Sequence, residues 1–235
     1  MDLKEYLAQY KGKTVHVLIN PGNAGDGLIH LAGRELLSGL GIRSREFLYP
    51  APAAGDTLFI HGCGGFGGVS AHRVEQSRFY FDRFKHVVIL PSSFDPARPA
   101  VRDFLATLPA HVTVFCREKI SYDLALQCAA HPEKLFLSED VAFLYDYGKW
   151  ARRHGKGTLV CFRTDSDSAQ ESGPDCSIDI SKYGDKHDAW PLLFCVSLFE
   201  EVHTDRMHVG IAAAMMNKQT YYYDNNYHKI RATYA

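Results

Sequence analysis

Thr14-Val15-His16-Val17-Leu18-Ile19-Asn20-Pro21-Gly22-Asn23-Ala24-Gly25-Asp26-Gly27 is the stretch on which the reading of the fold turns. Its first six residues are a short β-branched and apolar run, and Asn20-Pro21-Gly22-Asn23 halts it, which reads as a buried strand stopping at a loop. Behind the loop, Asp26 is placed to cap a helix over residues 27–40, where Leu28, Leu31, Leu36, Leu37 and Leu40 recur at roughly helical spacing. Strand, loop and helix make one unit, and the rest of the chain repeats it.

Residues 45–49 are strand-like, and 57–61 form a strand running into Gly62-Cys63-Gly64-Gly65-Phe66-Gly67-Gly68 and then a helical pattern over 72–84. Strands at 86–90 and 111–115 feed helices at 97–108 and 118–129, and 135–143 holds one or two short strands. The segment 145–157, with Lys149, Arg152, Arg153, His154 and Lys156, reads as a solvated linker; contact of its basic run with an anionic lipid or glycan is the alternative. Beyond it come a strand at 158–162, a polar loop at 164–174, a strand at 176–180 and a helix at 188–199 with Pro191 in its first turn. Val202-His203, a small-residue helix through Met216, a strand at 219–223 and the segment 225–232 close the chain. Such alternation implies a mainly parallel sheet with helices on both faces. The expected division is an α/β lobe over 1–145 and a smaller one over 155–235.

Composition narrows the function classes. Lys plus Arg number 26 against 27 Asp plus Glu, so no global basic field attracts a nucleic-acid backbone, and anion binding must be local. With 46% hydrophobic and 23% charged residues the chain can bury a sizeable core. Cys63, Cys116, Cys128, Cys161, Cys176 and Cys195 are widely spaced, several in apolar runs, which predicts buried free thiols. Neither Cys-x-x-Cys nor HExxH occurs, so no metal site is expected. Met1 to Lys13 carries charges throughout and lacks a secretory core, and the longest apolar stretch, 192–199, is far below the ~20 residues of a membrane span. A cytoplasmic protein is expected.

Gly62, Gly64 and Gly67 match the G-x-G-x-x-G of a dinucleotide-binding turn. That fold also places an acidic residue at the end of the next strand, which here ends in Leu90-Pro91-Ser92-Ser93, so a nicotinamide cofactor is not expected. Glycines still let a backbone approach a ligand and aim N–H groups at an anion. Ligand contact through the loop at 20–27 and through Gly64, Gly65 and Ser92 stands against tight turns alone. Arg117, Arg163 and Arg206 each follow a strand, so three guanidinium forks at carboxyl ends suit a substrate bearing carboxylate and phosphate. His208, at a strand-to-helix junction, fits a general acid or base, a phosphate ligand, or a histidine packed beside the small residues 210–214.

Several stretches together resemble the polysaccharide pyruvyl transferase family. They are 20–26, the glycines at 62–68, Leu90-Pro91-Ser92-Ser93-Phe94, Phe115-Cys116-Arg117-Glu118-Lys119 with Ser121-Tyr122, Glu139-Asp140-Val141-Ala142-Phe143, Thr204-Asp205-Arg206-Met207-His208, and Asp224-Asn225 with Lys229-Ile230, all in the family's order. The resemblance implies two Rossmann-like lobes similar to the glycosyltransferase-B arrangement, the second small. It also implies transfer of a pyruvyl group from phosphoenolpyruvate to a sugar as a ketal, in exopolysaccharide biosynthesis. The family's functional residues carry over onto Arg206 and His208, then onto Arg117. Asn23, Gly25 and Asp26 match the first-loop motif, and Met207 stands where leucine is usual, a volume-conserving change.

On this reading Arg206 and Arg117 hold the donor's carboxylate and phosphate, Arg163 is a third cation, His208 is the acid and Asp26 the base. Asn23, Gly25, Gly64, Gly65 and Ser92 line the substrate. No cofactor is implied beyond the donor itself; the partner is a glycan acceptor, free or lipid-linked at the inner face of a membrane, with no nucleic acid. A sugar-nucleotide-dependent glycosyltransferase is the alternative, since fold does not fix function.

Overall fold

The computed structural model describes residues 2–66, 72–151, 154–164, 176–184 and 186–223. Gly67 and Gly68, Arg152 and Arg153, most of the polar loop at 164–174, and the closing motif Asp224-Asn225 with Lys229-Ile230 lie outside the described residues. The chain divides into two compact units, residues 1–20 with 33–141, and residues 21–32 with 142–235.

The first unit begins with α1 (Leu3–Leu7), capped by Asp2, whose carboxylate accepts the N–H groups of Lys4 and Glu5. Then follow β1 (Thr14–Leu18), α2 (Ala24–Gly39), of which residues 24–32 belong to the second unit, β2 (Arg43–Phe47), β3 (Gly55–Ile60), α3 (His72–Phe81) and β4 (Phe84–Ser92). The unit is completed by α4 (Pro99–Ala106), β5 (Val112–Cys116), α5 (Lys119–Leu126) and β6 (Leu135–Leu137). All six strands pair in parallel in the order β2-β1-β3-β4-β5-β6. This is a doubly wound, Rossmann-like sheet whose direction of growth reverses between β1 and β3, the switch point where such sheets bind ligands. Every residue of β5 is buried, as are the last four of β3, because a parallel strand covered on both faces has no side turned to solvent. Phe66, Phe94 and Phe104 join the core, with the first two rings stacked at 4.7 Å.

The second unit carries α6 (Gly148–Ala151), β7 (Thr158–Cys161), α7 (Trp190–Ser197), β8 (Glu201–Thr204), α8 (Met207–Met215) and β9 (Gln219–Tyr222). Its three strands are parallel in the order β7-β8-β9. Gly210, Ala212 and Ala213 are buried in α8, where small side chains let the helix lie close to its neighbours, and the Tyr222 hydroxyl donates to the Gly210 carbonyl at 2.8 Å. The alternating sequence thus produces two parallel sheets, one of six strands and one of three.

Three expectations are corrected. The helix after β1 starts earlier than residue 27: Asn23 is its cap, its side chain accepting the Gly25 N–H at 2.8 Å, while Asp26 sits in the first turn and accepts the Asn23 N–H at 3.2 Å. This reciprocal cap satisfies two donors with one pair of side chains. Residues 135–143 hold one short strand, β6, followed by a 3-10 turn at 141–144. In the supposed linker, Tyr145, Tyr147 and Trp150 are buried, with the Trp150 indole donating to the Tyr145 hydroxyl and the Tyr147 hydroxyl to the Ala142 carbonyl. The segment 176–180 is no strand: Ile178 makes one ladder-like bond to the Val160 carbonyl and the chain then turns into a 3-10 helix, Ile180–Lys182.

Candidate functional site

In the second unit, β8 delivers the chain to the start of α8 through Thr204-Asp205-Arg206. The Thr204 hydroxyl donates to the Cys161 carbonyl at 2.7 Å and accepts the Arg206 N–H at 2.9 Å, so one buried side chain fixes the turn. Arg206 lies at the N-cap of α8, where free N–H groups and the helix dipole favour anions. Its guanidinium is nearly buried and grips Asp179 bidentately, Nε to Oδ1 at 3.0 Å and Nη2 to Oδ2.

Asp179 is itself fastened, accepting the Ser181 hydroxyl at 2.7 Å and the Thr164 N–H at 3.3 Å. Burial alone would raise its pKa, but the Arg206 and Ser181 hydrogen bonds and the Arg206 charge outweigh that and hold it below its ordinary value. Asp205 differs. Burial pushes its carboxyl up despite the Arg163 N–H, which donates to Oδ1 at 2.7 Å, and despite the Arg163 and Arg206 charges. Arg163, Arg206, Asp179 and Asp205 thus form one charge cluster at the carboxyl ends of β7 and β8.

His208, in the first turn of α8, packs on the capped loop. A Cβ built on Gly25 would lie 2.9 Å from His208 Nδ1 and 3.0 Å from Asn23 Oδ1, so the imidazole occupies room that only glycine leaves. Gly22 is constrained likewise, since a Cβ there would fall 1.9 Å from Asp26 Oδ2 and displace the cap. Farther along α2, His30 Nδ1 is 2.7 Å from the Lys186 carbonyl. Asn23, Gly25, Asp26 and His208, expected in separate lobes, therefore belong to one unit and meet.

The first unit holds its own cluster at the ends of β4, β5 and β6. Arg117, wholly enclosed, donates through Nε to Ser93 Oγ at 2.7 Å and through Nη1 to Asp140 Oδ2 at 2.8 Å. Ser92 accepts the Cys63 N–H at 3.3 Å and donates to the Leu90 carbonyl, and its carbonyl takes the Arg117 N–H at 3.0 Å. The glycine loop is packed tightly against this edge: a Cβ on Gly62 would meet the Pro91 carbonyl at 2.1 Å, and one on Gly65 the Arg73 side chain at 2.7 Å. Gly64 continues the same loop.

A profile described as "Polysaccharide pyruvyl transferase" matches residues 23–227. The chain belongs to the polysaccharide pyruvyl transferase family. Membership indicates pyruvyl transfer to polysaccharide as the general activity. No curated protein sequence matches the chain significantly. Its fold is similar to the crystal structure of a functionally uncharacterised protein from Klebsiella pneumoniae subsp. pneumoniae, with TM-score 0.81 and 24% identity over 98% of this chain and 91% of that one. That likeness bears on the fold alone.

For a polysaccharide pyruvyl transferase, the residues that sequence reasoning passed over are Asp179, Ser181, Ser93 and Asp140, which anchor the two arginines. Ser93 and Asp140 both lie inside stretches that carry the family resemblance. Asp179 lay between two isoleucines in an expected strand, and an acid in that apolar setting was the available signal. Burial raises the Cys116 thiol well above its usual range and Cys161 to about 12, which makes these two poor nucleophiles, while Cys176 is exposed and Cys128 and Cys195 are half-buried, contrary to the expectation of burial. Among the described residues no cluster of three or more His, Cys, Asp or Glu is placed to hold a metal ion, and no helix is long and apolar enough to cross a membrane.

Proposed function

We propose that this transferase uses phosphoenolpyruvate as donor and bridges two hydroxyls of a sugar, in a polysaccharide or its lipid-linked precursor, as a pyruvate ketal. The observation carrying this reading is the seating of His208 on Gly25 inside the Asn23–Asp26 capped loop, two residues from an Arg206 held rigid by Asp179. An imidazole beside a preorganised guanidinium at a helix N-terminus suits a small anion that must be protonated.

The chemistry balances without a redox partner or metal. A proton adds to the methylene carbon of the enol phosphate, a sugar hydroxyl attacks the neighbouring carbon, the carbon–oxygen bond to phosphate breaks, and a second hydroxyl closes the ring. Two protons leave the hydroxyls; one ends on the new methyl group and one on the phosphate. His208 supplies the proton on the donor side, and Asp26, half-buried in the first turn of α2, takes one from the acceptor. In the second unit Arg206 binds an anionic group of the donor, Arg163 adds a second charge, and Asn23 and Gly25 line the substrate; in the first, Arg117 is matched to an anionic group, with Gly64, Gly65 and Ser92 at the same strand edge. The donor arrives already activated, so no cofactor enters the proposal. A lipid-linked acceptor would bring the cytoplasmic enzyme to the inner face of a membrane.

Calorimetric titration with phosphoenolpyruvate, and separately with UDP- and CMP-sugars, tests the donor. Saturable binding of phosphoenolpyruvate alone is expected; binding of a nucleotide sugar in its place would transfer the chain to glycosyl transfer.

A further inference from the structure

Arg117 has lost all contact with solvent, yet its hydrogen bonding is incomplete. Nε is taken by Ser93 and Nη1 by Asp140, while Nη2 has no hydrogen-bond partner among the described residues. A dry, unpaired donor is a standing penalty in a folded protein, and such exceptions call for an explanation. Packing alone does not supply one, because an apolar side chain would fill the same space without the unpaired donor. The two grips come from different strand ends, Ser93 beyond β4 and Asp140 beyond β6, with Arg117 itself beyond β5. Rotation of the guanidinium about either bond would break one of them.

We propose that Asp140 and Ser93 are positioning residues: they hold Arg117 by two arms so that Nη2 alone is presented to one anionic oxygen of the substrate. The inference rests on the reading that Arg117 meets the donor. Asp140 has a second effect. Its carboxylate neutralises the guanidinium while the site is empty, and by the same charge it weakens the attraction for an incoming anion. Clamping and charge therefore act on affinity in opposite directions, and two substitutions at one position separate them. Asp140→Asn keeps an oxygen acceptor for Nη1 and removes the charge, whereas Asp140→Ala removes both.

The test uses the full chain, with calorimetry and thermal unfolding in phosphoenolpyruvate and, separately, in inorganic phosphate. Relative to the unsubstituted protein, Asp140→Asn is expected to bind phosphoenolpyruvate about threefold tighter and to gain more thermal stabilisation from it, although less stable when empty. Asp140→Ala is expected to bind it about tenfold weaker and Ser93→Ala about fivefold weaker. A purely structural role would lower the melting temperature of all three without moving the dissociation constants in opposite directions, and that result overturns the proposal. If both Asp140 variants fail to fold, Ser93→Ala decides, since it leaves the ion pair in place; an unchanged dissociation constant overturns the clamp. Should the protein bind inorganic phosphate but not phosphoenolpyruvate, the donor assignment fails while the same pattern, read with phosphate, still judges the clamp. Binding of neither anion overturns both.

Discussion

In the first unit Arg117 is held at Nε by a serine and at Nη1 by an aspartate, whereas in the second Arg206 lays Nε and Nη2 along both oxygens of Asp179. Both follow a parallel strand, both are neutralised by a buried aspartate, and in both a serine hydroxyl completes the fastening, Ser93 directly and Ser181 through Asp179. The planar fork of Arg206 is oriented by one partner. Arg117 is oriented by triangulation between two. What separates the units chemically is His208 with the capped loop of Asn23, Gly25 and Asp26, which belongs to the second unit alone. On the proposed function, proton transfer falls to the second unit, while each unit carries a fastened guanidinium suited to an anion.

The sharpest break of that division is His208→Ala. Losing a general acid is expected to lower kcat by about 10²–10⁴, measured as phosphate release, with little change in melting temperature. Retained turnover would remove the chemistry from the second unit. Asp179→Ala leaves a buried guanidinium uncompensated and is expected to cost about 3–5 kcal/mol in urea denaturation.

The pH dependence of that stability has two opposed limbs. Asp179, depressed, contributes stability that is present above its ordinary value of 3.8 and lost as pH falls through its lower folded value. Asp205, raised, contributes stability that is fullest below 3.8 and lost as pH rises through its higher folded value. Denaturation midpoints of Asp179→Asn across acidic pH should therefore lose the first limb and keep the second; an unaltered profile contradicts the pair as drawn.

Gly25→Ala gives a smaller but more discriminating effect. Alanine favours a helix over glycine by about 1 kcal/mol, so a structural role alone predicts a stabler protein with full activity. A Cβ 2.9 Å from His208 Nδ1 instead displaces the imidazole, and about a tenfold loss of kcat is expected, since small misplacements of a catalytic group are costly. Smallest is Asn23→Ala, where loss of the cap should cost about 1 kcal/mol by thermal unfolding.

Much of the scaffold was legible because parallel strands must be apolar on both faces and must stop before their helices. Val112 to Cys116 and Leu58 to Ile60 announce themselves in that way, and Pro191 marks the start of α7. Long-range pairing was not legible. Nothing local tells that Asp179 will close on Arg206, which is why the isoleucines on either side suggested a strand where the chain makes a 3-10 turn. The basic residues at 149–156 likewise masked the buried Tyr145, Tyr147 and Trp150. The segment 21–32, a short loop and the first turns of α2, follows β1 in sequence and reads with it. Its membership of the second unit depends on contacts with residues far along the chain, Gly184 beside Ala24, Lys186 at His30 and His208 at Gly25. The Arg-x-His element and the first-loop motif were each visible; that they pack together within one unit was not.

The central claim is tested most directly by incubating the protein with phosphoenolpyruvate and free or lipid-linked oligosaccharides, following phosphate release together with the mass of the glycan. The account predicts stoichiometric phosphate and a glycan heavier by one pyruvyl ketal. Phosphate release without a modified glycan, or a modified glycan only when a nucleotide sugar is supplied, would contradict it.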